Sequence, residues 1–248
     1  MIRLLLETAT DVCSVAVARD NEILAAQTSS EPHRHSSHLT LYIRQIMTEA
    51  GLKMENLNEV VLSDGPGSYT SLRVGAATAK GLCLALPGLK LRVVPTLTAL
   101  AWAAEAPDRP VLATINSRRG EAFGQLFSGA RPPVQGKTVK EQGTLSKESP
   151  LIVGPTNIRL TEDGWFDAVA TAAGSGDFIV CGGGQDRLTE HLPAGTDLRT
   201  AAPAHCSAIY LLAPATSPAT SRIVDVATYE PFYLNPPFVT RSKKKLLG

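Results

Sequence analysis

The stretch LSDGPGSYTSLRVGAATAKGLCLAL, Leu62 to Leu86, sets a Gly-Pro-Gly turn between the end of an apolar strand and a nearly uncharged helix. The spacing predicts about five helical turns from Tyr69, stopped by Pro87-Gly88. Arg73 and Lys80 are the helix's only charges, and seven residues apart they share about one face. A helix lying on one sheet needs a single apolar stripe, whereas one that is apolar nearly all round must be covered on a second side as well. Gly75 and Ala79, four apart, would let another helix come close. Glycine costs about 1 kcal/mol per position against alanine inside a helix, so Gly75 and Gly81 require packing in return. Either the chain's own lobes bury this helix entirely, or it forms a subunit interface with the helix before it.

The turn itself reads two ways. Unpaired N–H groups and the helix dipole at Gly65, Gly67 and Ser68 suit a phosphate. A tight turn that brings the backbone against its neighbour explains the same glycines. The stretch is not a Walker loop, since no Lys follows the last glycine, and it is not G-x-G-x-x-G, since Ser71 and Leu72 stand where a third glycine would fall.

Working outward, RLLLETATDVCSVAVARDNEILAAQTSS predicts three strands in an antiparallel meander, Leu4–Glu7, Ser14–Ala18 and Ile23–Thr28. Leu39, Tyr42, Ile43, Ile46, Met47 and Ala50 recur at helical spacing before Gly51, which marks an amphipathic helix over Ser36–Ala50. Its apolar band is wider than one sheet contact requires, which favours the interface reading and adds Leu72 and Leu82 to the candidate surface. NEVVLSDG and LKLRVVP supply two more strands, the second leading into a helix at Leu97–Ala104. Strands alternating with helices ask for parallel neighbours, so the fold class is α/β with a mixed sheet. After Pro107 the pattern partly restarts with two strands in PVLATINSRRGEAFGQLFSG, a strand, glycine turn and helix in DFIVCGGGQDRLTEHL, and a helix in PAHCSAIYLLA. The expected organisation is an N-terminal lobe over 1–106 and a reduced lobe over 107–248. The latter includes an exposed Pro- and Gly-rich insertion at 129–150 and a basic, solvated tail at 241–248.

The chain has 248 residues, 44% hydrophobic and 19% charged, with a net charge of +1. Core material is ample, and the total charge calls for neither nucleic acid nor a membrane surface. Cys13, Cys83, Cys181 and Cys206 are scattered without a C-x-x-C pair, as expected of reduced thiols in a cytoplasmic protein. The three leucines of MIRLLLETAT are too few for a signal peptide's core. His33, His35 and His38 could ligate zinc, or could be polar residues of a helix entry capped by Ser36 or Ser37. No Ser-His-Asp or Cys-His pairing follows from spacing.

LLLETATDVCSVAVARD, HSSHLTLYIRQIMTEAGL, the Leu62–Leu86 stretch, TINSRRGEAFGQLF and YEPFYLN together resemble the TsaB (YeaZ) family of tRNA threonylcarbamoyladenosine synthesis. The likeness covers residues 1 to about 127 well, and the remainder in its strand order and its closing EPFYL. It implies a two-lobe actin-like, sugar-kinase-like (ASKHA) fold without catalysis of its own. The partners it implies are a catalytic paralogue, TsaD, met through the first two helices, an ATPase, TsaE, and tRNA through the complex. The interface residues would then be Leu39, Tyr42, Ile43, Ile46, Met47, Leu72, Gly75, Ala79 and Leu82, closing on themselves as a homodimer when the paralogue is missing. On that reading Gly75→Leu should block association and leave the lobe folded. Actin-like ATPases keep a magnesium acid and phosphate hydroxyls at the first hairpin, which maps to Glu7, Thr8 and Thr10, and lay a glycine turn against adenosine, which maps to Gly182–Gly184, with Gly183 at its centre. A capped hairpin explains the threonines as well. Arg118 and Arg119 could face tRNA, nucleotide or the ATPase, or belong to a solvated turn.

Departures from the family weaken a magnesium site: Glu7 stands where Asp is usual, Ser71 where Gly is, and Asn116 where Asp is. The paralogue's metal histidines map to Thr96 and Leu100, neither of which can replace imidazole. No cofactor or metal is therefore expected, ATP or ADP entering only within the complex. The rival readings are an ATP-dependent small-molecule kinase using Glu7, Gly65–Ser68 and Gly182–Gly184, and a metallopeptidase using the three histidines.

Overall fold

Three consecutive leucines in the first strand make sense only if both faces of its sheet are covered. In the computed structural model, which describes residues 1–29, 35–106, 108–128, 154–174 and 177–236, they are. Strands β1 (Ile2–Glu7), β2 (Cys13–Arg19) and β3 (Glu22–Ser29) form the expected meander. Helix α1 (His35–Glu49) then leads to β4 (Glu59–Ser63), parallel to β1, and α2 (Tyr69–Ala85) leads to β5 (Lys90–Val94), parallel to β4. Leu4 and Leu6 join Val60, Leu62, Leu91 and Val93 beneath α1 and α2, while Leu5 points the other way with Val61 and Val94. Glu59 accepts from Arg3 at 3.2 Å and from Arg92 at 2.9 Å, tying β1, β4 and β5 in register.

The second half repeats this topology. After α3 (Thr96–Ala103) come β6 (Val111–Asn116), β7 (Glu121–Phe127), β8 (Thr156–Arg159), α4 (Trp165–Ala172), β9 (Ile179–Cys181), α5 (Gln185–Glu190) and β10 (Arg199–Thr200). The sheet orders correspond strand for strand, β5-β4-β1-β2-β3 and β10-β9-β6-β7-β8, with β9 parallel to β6 as β4 is to β1. This is the two-lobe actin-like α/β arrangement expected from the sequence. β8, α4 and β10 had no sequence expectation; they complete the copy.

Each lobe covers one face of the other. Leu97, Leu100 and Ala101 of α3 pack on Val111, Ala113 and Ile115 of the second sheet. The expected helix near residue 208 is a 3-10 turn, Ala208–Leu211, running into the short α6 (Leu212–Ala215), and it packs on Leu5, Ala16 and Val61 of the first sheet. β11 (Arg222–Val224) then adds to the first sheet, antiparallel to β5. β1–β5 precede residue 107 and the second sheet follows it, but residues 208–224 return to the first lobe, so the expected 107–248 lobe is not one unit in sequence. Residues 129–150, 241–248 and His33 lie outside the described residues. Among the described residues, no helix is long and apolar enough to cross a membrane.

The glycines of α2 separate its two sides. A Cβ on Gly75 would collide with Thr8 Oγ1 and lie 3.1 Å from Leu62 Cδ1, whereas one on Gly81 would meet nothing within 4 Å. Gly75 is therefore a packing requirement of the lobe itself, and Gly75→Leu would disrupt the fold before it disturbed any partner. Gly75→Ala should destabilise by roughly 1–3 kcal/mol, and Gly81→Ala should stabilise by up to about 1 kcal/mol. Denaturant midpoints of the two variants check this; a neutral Gly75→Ala would mean that α2 is not seated on β1 as described.

Candidate functional site

The duplicated topology brings the β1–β2 turn of one lobe opposite the β6–β7 turn of the other. Between them lies a cleft of about 480 Å³, the size of a small-molecule site. Thr10 and Asp11 line one wall, Asn116–Arg118 the other, and Gly67 and Ser68 at the start of α2, Gly183 after β9, and Tyr233–Pro236 complete it.

Of the expected phosphate contacts, Thr10, Gly67, Ser68 and Gly183 reach the cleft, while Glu7, Thr8 and Gly65 do not line it. Glu7 is buried, its Oε1 accepting from the Ala9 N–H at 2.6 Å. Thr8 is buried against Gly75. Gly65, also buried, has φ +107° and a Cβ there would run into the Phe232 carbonyl, so only glycine fits. Some of the turn's donors are used internally: the Ser68 N–H donates to Ala9 O at 2.7 Å, and Ser68 Oγ accepts from the Ser71 N–H at 3.4 Å, capping α2. Of the two readings of Gly-Pro-Gly, the geometry favours the close-approach turn, for a Cβ on Gly67 would strike the Ala9 carbonyl.

The residue that organises this turn carried no local sequence signal. Asp64 is 2% exposed; its carboxylate accepts from Tyr229 Oη at 3.0 Å and Arg222 Nη2 at 2.8 Å, and its carbonyl from the Phe232 N–H at 2.8 Å. Burial, then the neighbouring Asp64 carboxylate, pushes the Tyr229 phenol up, so it stays a donor. These partners lie 158 and 165 residues away, beyond any pattern of spacing.

In the second lobe, Arg187 Nη1 donates to the carbonyls of Ser117, Arg118 and Glu121 at 3.1, 2.7 and 2.9 Å, bracing the β6–β7 turn. Arg118 lines the cleft; Arg119 is exposed and does not. Cys206 borders the cleft, but burial, reinforced by Glu7, pushes its thiol well up, away from the thiolate a nucleophile needs. No group of three metal-ligating side chains gathers among the described residues. Of the three histidines, only the His38 side chain is described, stacked on Tyr42 at 5.5 Å.

The expected interface residues need correcting. Leu39, Ile43, Ile46, Met47, Leu72 and Ala79 are all buried at 4% exposure or less within the first lobe's own core. Gly75 is buried too, and Tyr42 and Leu82 are half-buried at the core's edge. Both helices turn those bands inward because β1, β4 and β5 offer an apolar floor there. Among the residues they turn outward are Leu41, with Arg44 and Gln45, on α1 and Ala77, Gly81 and Leu84, with Arg73, on α2.

The family model described as TsaD, tRNA N6-adenosine threonylcarbamoyltransferase, matches residues 22–140. The tRNA threonylcarbamoyladenosine biosynthesis protein TsaB of Escherichia coli (strain K12) is 33% identical over 122 residues, 48% of this chain and 52% of that protein. Its counterpart in Bacillus subtilis (strain 168) is 24% identical over 127 residues, 51% and 55% of the two. The chain thus spans about half the length of the curated relatives it matches. In structure it is similar to YeaZ from Pseudomonas aeruginosa, with TM-score 0.68 and 22% identity over 94% of this chain and 99% of that one, a likeness of fold.

Burial pushes the Glu7 carboxyl up from 4.5 to about 7, against the lowering effect of the Ala9 N–H. Between those pH values the folded chain holds a proton that the unfolded chain has released. The associated stability is complete below pH 4.5 and is lost as pH rises through 7. Glu7→Gln keeps an acceptor for Ala9 without the charge. Its stability relative to the parent should climb across that window by up to roughly 3 kcal/mol. Unfolding curves at several pH values check it; parallel pH profiles for the two proteins would refute it.

Proposed function

We propose that the chain is a TsaB/YeaZ-type protein, on the strength of its 33% and 24% identity to two TsaB proteins over about half its length, and that it is a non-catalytic partner subunit in threonylcarbamoyladenosine synthesis on tRNA. It pairs with a TsaD-like catalytic paralogue, the pair recruits a TsaE-like ATPase, and tRNA meets it through the complex. Alone, the same surface closes on a second copy. ATP or ADP would occupy its cleft only in the assembled state, and tRNA modification sets the cytoplasm as its compartment.

One observation carries the reading: the outer side of α2. Ala77, Gly81 and Leu84 follow one another at helical spacing, Leu84 is 77% exposed, and the space above Gly81 is open. One exposed leucine is ordinary. A mid-helix glycine that costs about 1 kcal/mol, touches nothing, and stands four residues from an alanine on the same face is suited to the backbone of a second helix. α1 packs beside α2, and its Leu41 is 42% exposed.

Thr10, Asp11 and Ser68 line the cleft, but the two positions that match the family's magnesium acid and first phosphate hydroxyl do not. Glu7 and Thr8 are withdrawn from the cleft, which also disfavours the kinase reading. Thr96 Oγ1 accepts from the Gly65 N–H at 3.1 Å and shares a hydrogen bond with Ser63 Oγ at 2.7 Å, and Leu100 is buried, so both positions serve the core.

The test is reconstitution with tRNA, threonylcarbamoyl-adenylate, ATP, the candidate paralogue and the ATPase. Modified adenosine should form only when this chain is present. Leu84→Asp should weaken pairing with the paralogue at least about tenfold, or about 1.4 kcal/mol, at an unchanged melting temperature. Modification that proceeds equally well without the chain would overturn the function, and a Leu84→Asp protein that pairs normally would overturn this docking face.

A further inference from the structure

The last described segment runs along one flank of α2. At one end Lys80 Nζ donates to Tyr229 O at 2.9 Å; at the other the rings of Tyr233 and Tyr69 pack with centroids 4.6 Å apart. Four extended residues reach about 13 Å, and the helix from Tyr69 to Lys80 rises about 16 Å, so the two run side by side in opposite directions. Along the way Asp64 takes three hydrogen bonds from this segment and β11, through Arg222, Tyr229 and the Phe232 N–H. Past Tyr233 the same segment leaves the helix and becomes cleft wall, and Arg118 Nη2 of the opposite lobe donates to Pro236 O at 3.4 Å.

We propose that Tyr229–Pro236 is a latch through which the cleft and the α2 flank sense each other, clamped to Asp64 and Lys80 at one end and to the second lobe through Pro236 at the other. The second lobe cannot swing away from the β1–β2 turn without pulling Pro236 or breaking its contact with Arg118. A pull on Pro236 is a pull on Tyr233, and hence on Tyr69 at the head of α2. Whatever fills the cleft and whatever docks beside α2 then act on one element, and their effects must be reciprocal. The inference holds whether or not the chain works on tRNA.

Amide hydrogen exchange on the full chain tests it. Tyr229→Phe removes the donor to Asp64 and should speed exchange several-fold in residues 229–236, at the head of α2, and in the β6–β7 turn across the cleft. Arg118→Ala removes the donor to Pro236 at the far end and should speed exchange at residues 69–80 of the other lobe. Arg109→Ala, which removes a surface pair with Asp177 away from the latch, is the control and should leave α2 unchanged. The proposal fails if faster exchange stays within the lobe that carries the change, or if the control moves α2 as much as Arg118→Ala does. Should Tyr229→Phe not fold, Arg118→Ala against the control decides alone, since Arg118 is an exposed turn residue.

Discussion

Both sheets of this protein are buried on both faces, and neither half of the chain can bury its own sheet. A continuous apolar strand such as Leu4-Leu5-Leu6 leaves a hydrophobic surface on each side of the pleat, and each side must find a cover. α1 and α2 cover one side of the first sheet; the other waits for Ala208–Ala215, which arrives only after the second sheet has been built. The second sheet in turn is covered by α3, made before its first strand. Exchanging covers welds the lobes along a buried seam and leaves the cleft where the two β-hairpin turns meet above it. The site is thus a consequence of packing, and its walls are fixed by the core.

Much of this was legible. Short apolar runs between turn residues in the first strands and the 3.6-residue period in α1 and α2 gave element type and order, and alternation of strand and helix gave parallel pairing. The second copy of the topology was only half visible: β8 and α4 are short and follow the stretch at 129–153, so no long periodic segment marks them. The Asp64 cluster was invisible for a different reason. Its members sit at positions 64, 222, 229 and 232, and no local rule relates an acid before a turn to a tyrosine near the chain's end.

Which face of α2 stays free is hard to read from sequence for a reason intrinsic to such helices. Gly75 and Ala79 on one side and Ala77 and Gly81 on the other are the same motif displaced by two residues, a turn of about 200° around the axis. Sequence shows small residues on both faces, with Arg73 and Lys80 beside the second, and small residues alone do not say which face the sheet takes. The sheet takes Gly75, because Thr8 and Leu62 already fill the space a Cβ would need. The premise that an oily helix requires a companion chain therefore weakens, since most of its large side chains are satisfied at home. What survives is narrower and rests on Gly81 and Leu84 alone.

The cleft carries a similar lesson about chemistry. A glycine turn ahead of a helix offers N–H donors to an anion only while nothing nearer accepts them. Here Ala9 O takes the Ser68 N–H, and Thr96 Oγ1 takes that of Gly65. These hydrogen bonds seat the buried Gly65-Pro66 part of the turn against its neighbours, while Gly67 and Ser68 face the cleft. A protein whose role is to hold a partner gains from such a turn, because the head of α2 is then set by covalent neighbours and by Asp64, not by the occupancy of the cleft alone. The hydrogen bonds of Gly65 and Ser68 seat the head of α2 next to Tyr69 and its Tyr233 contact, so the height at which Ala77, Gly81 and Leu84 are presented follows the position of that head.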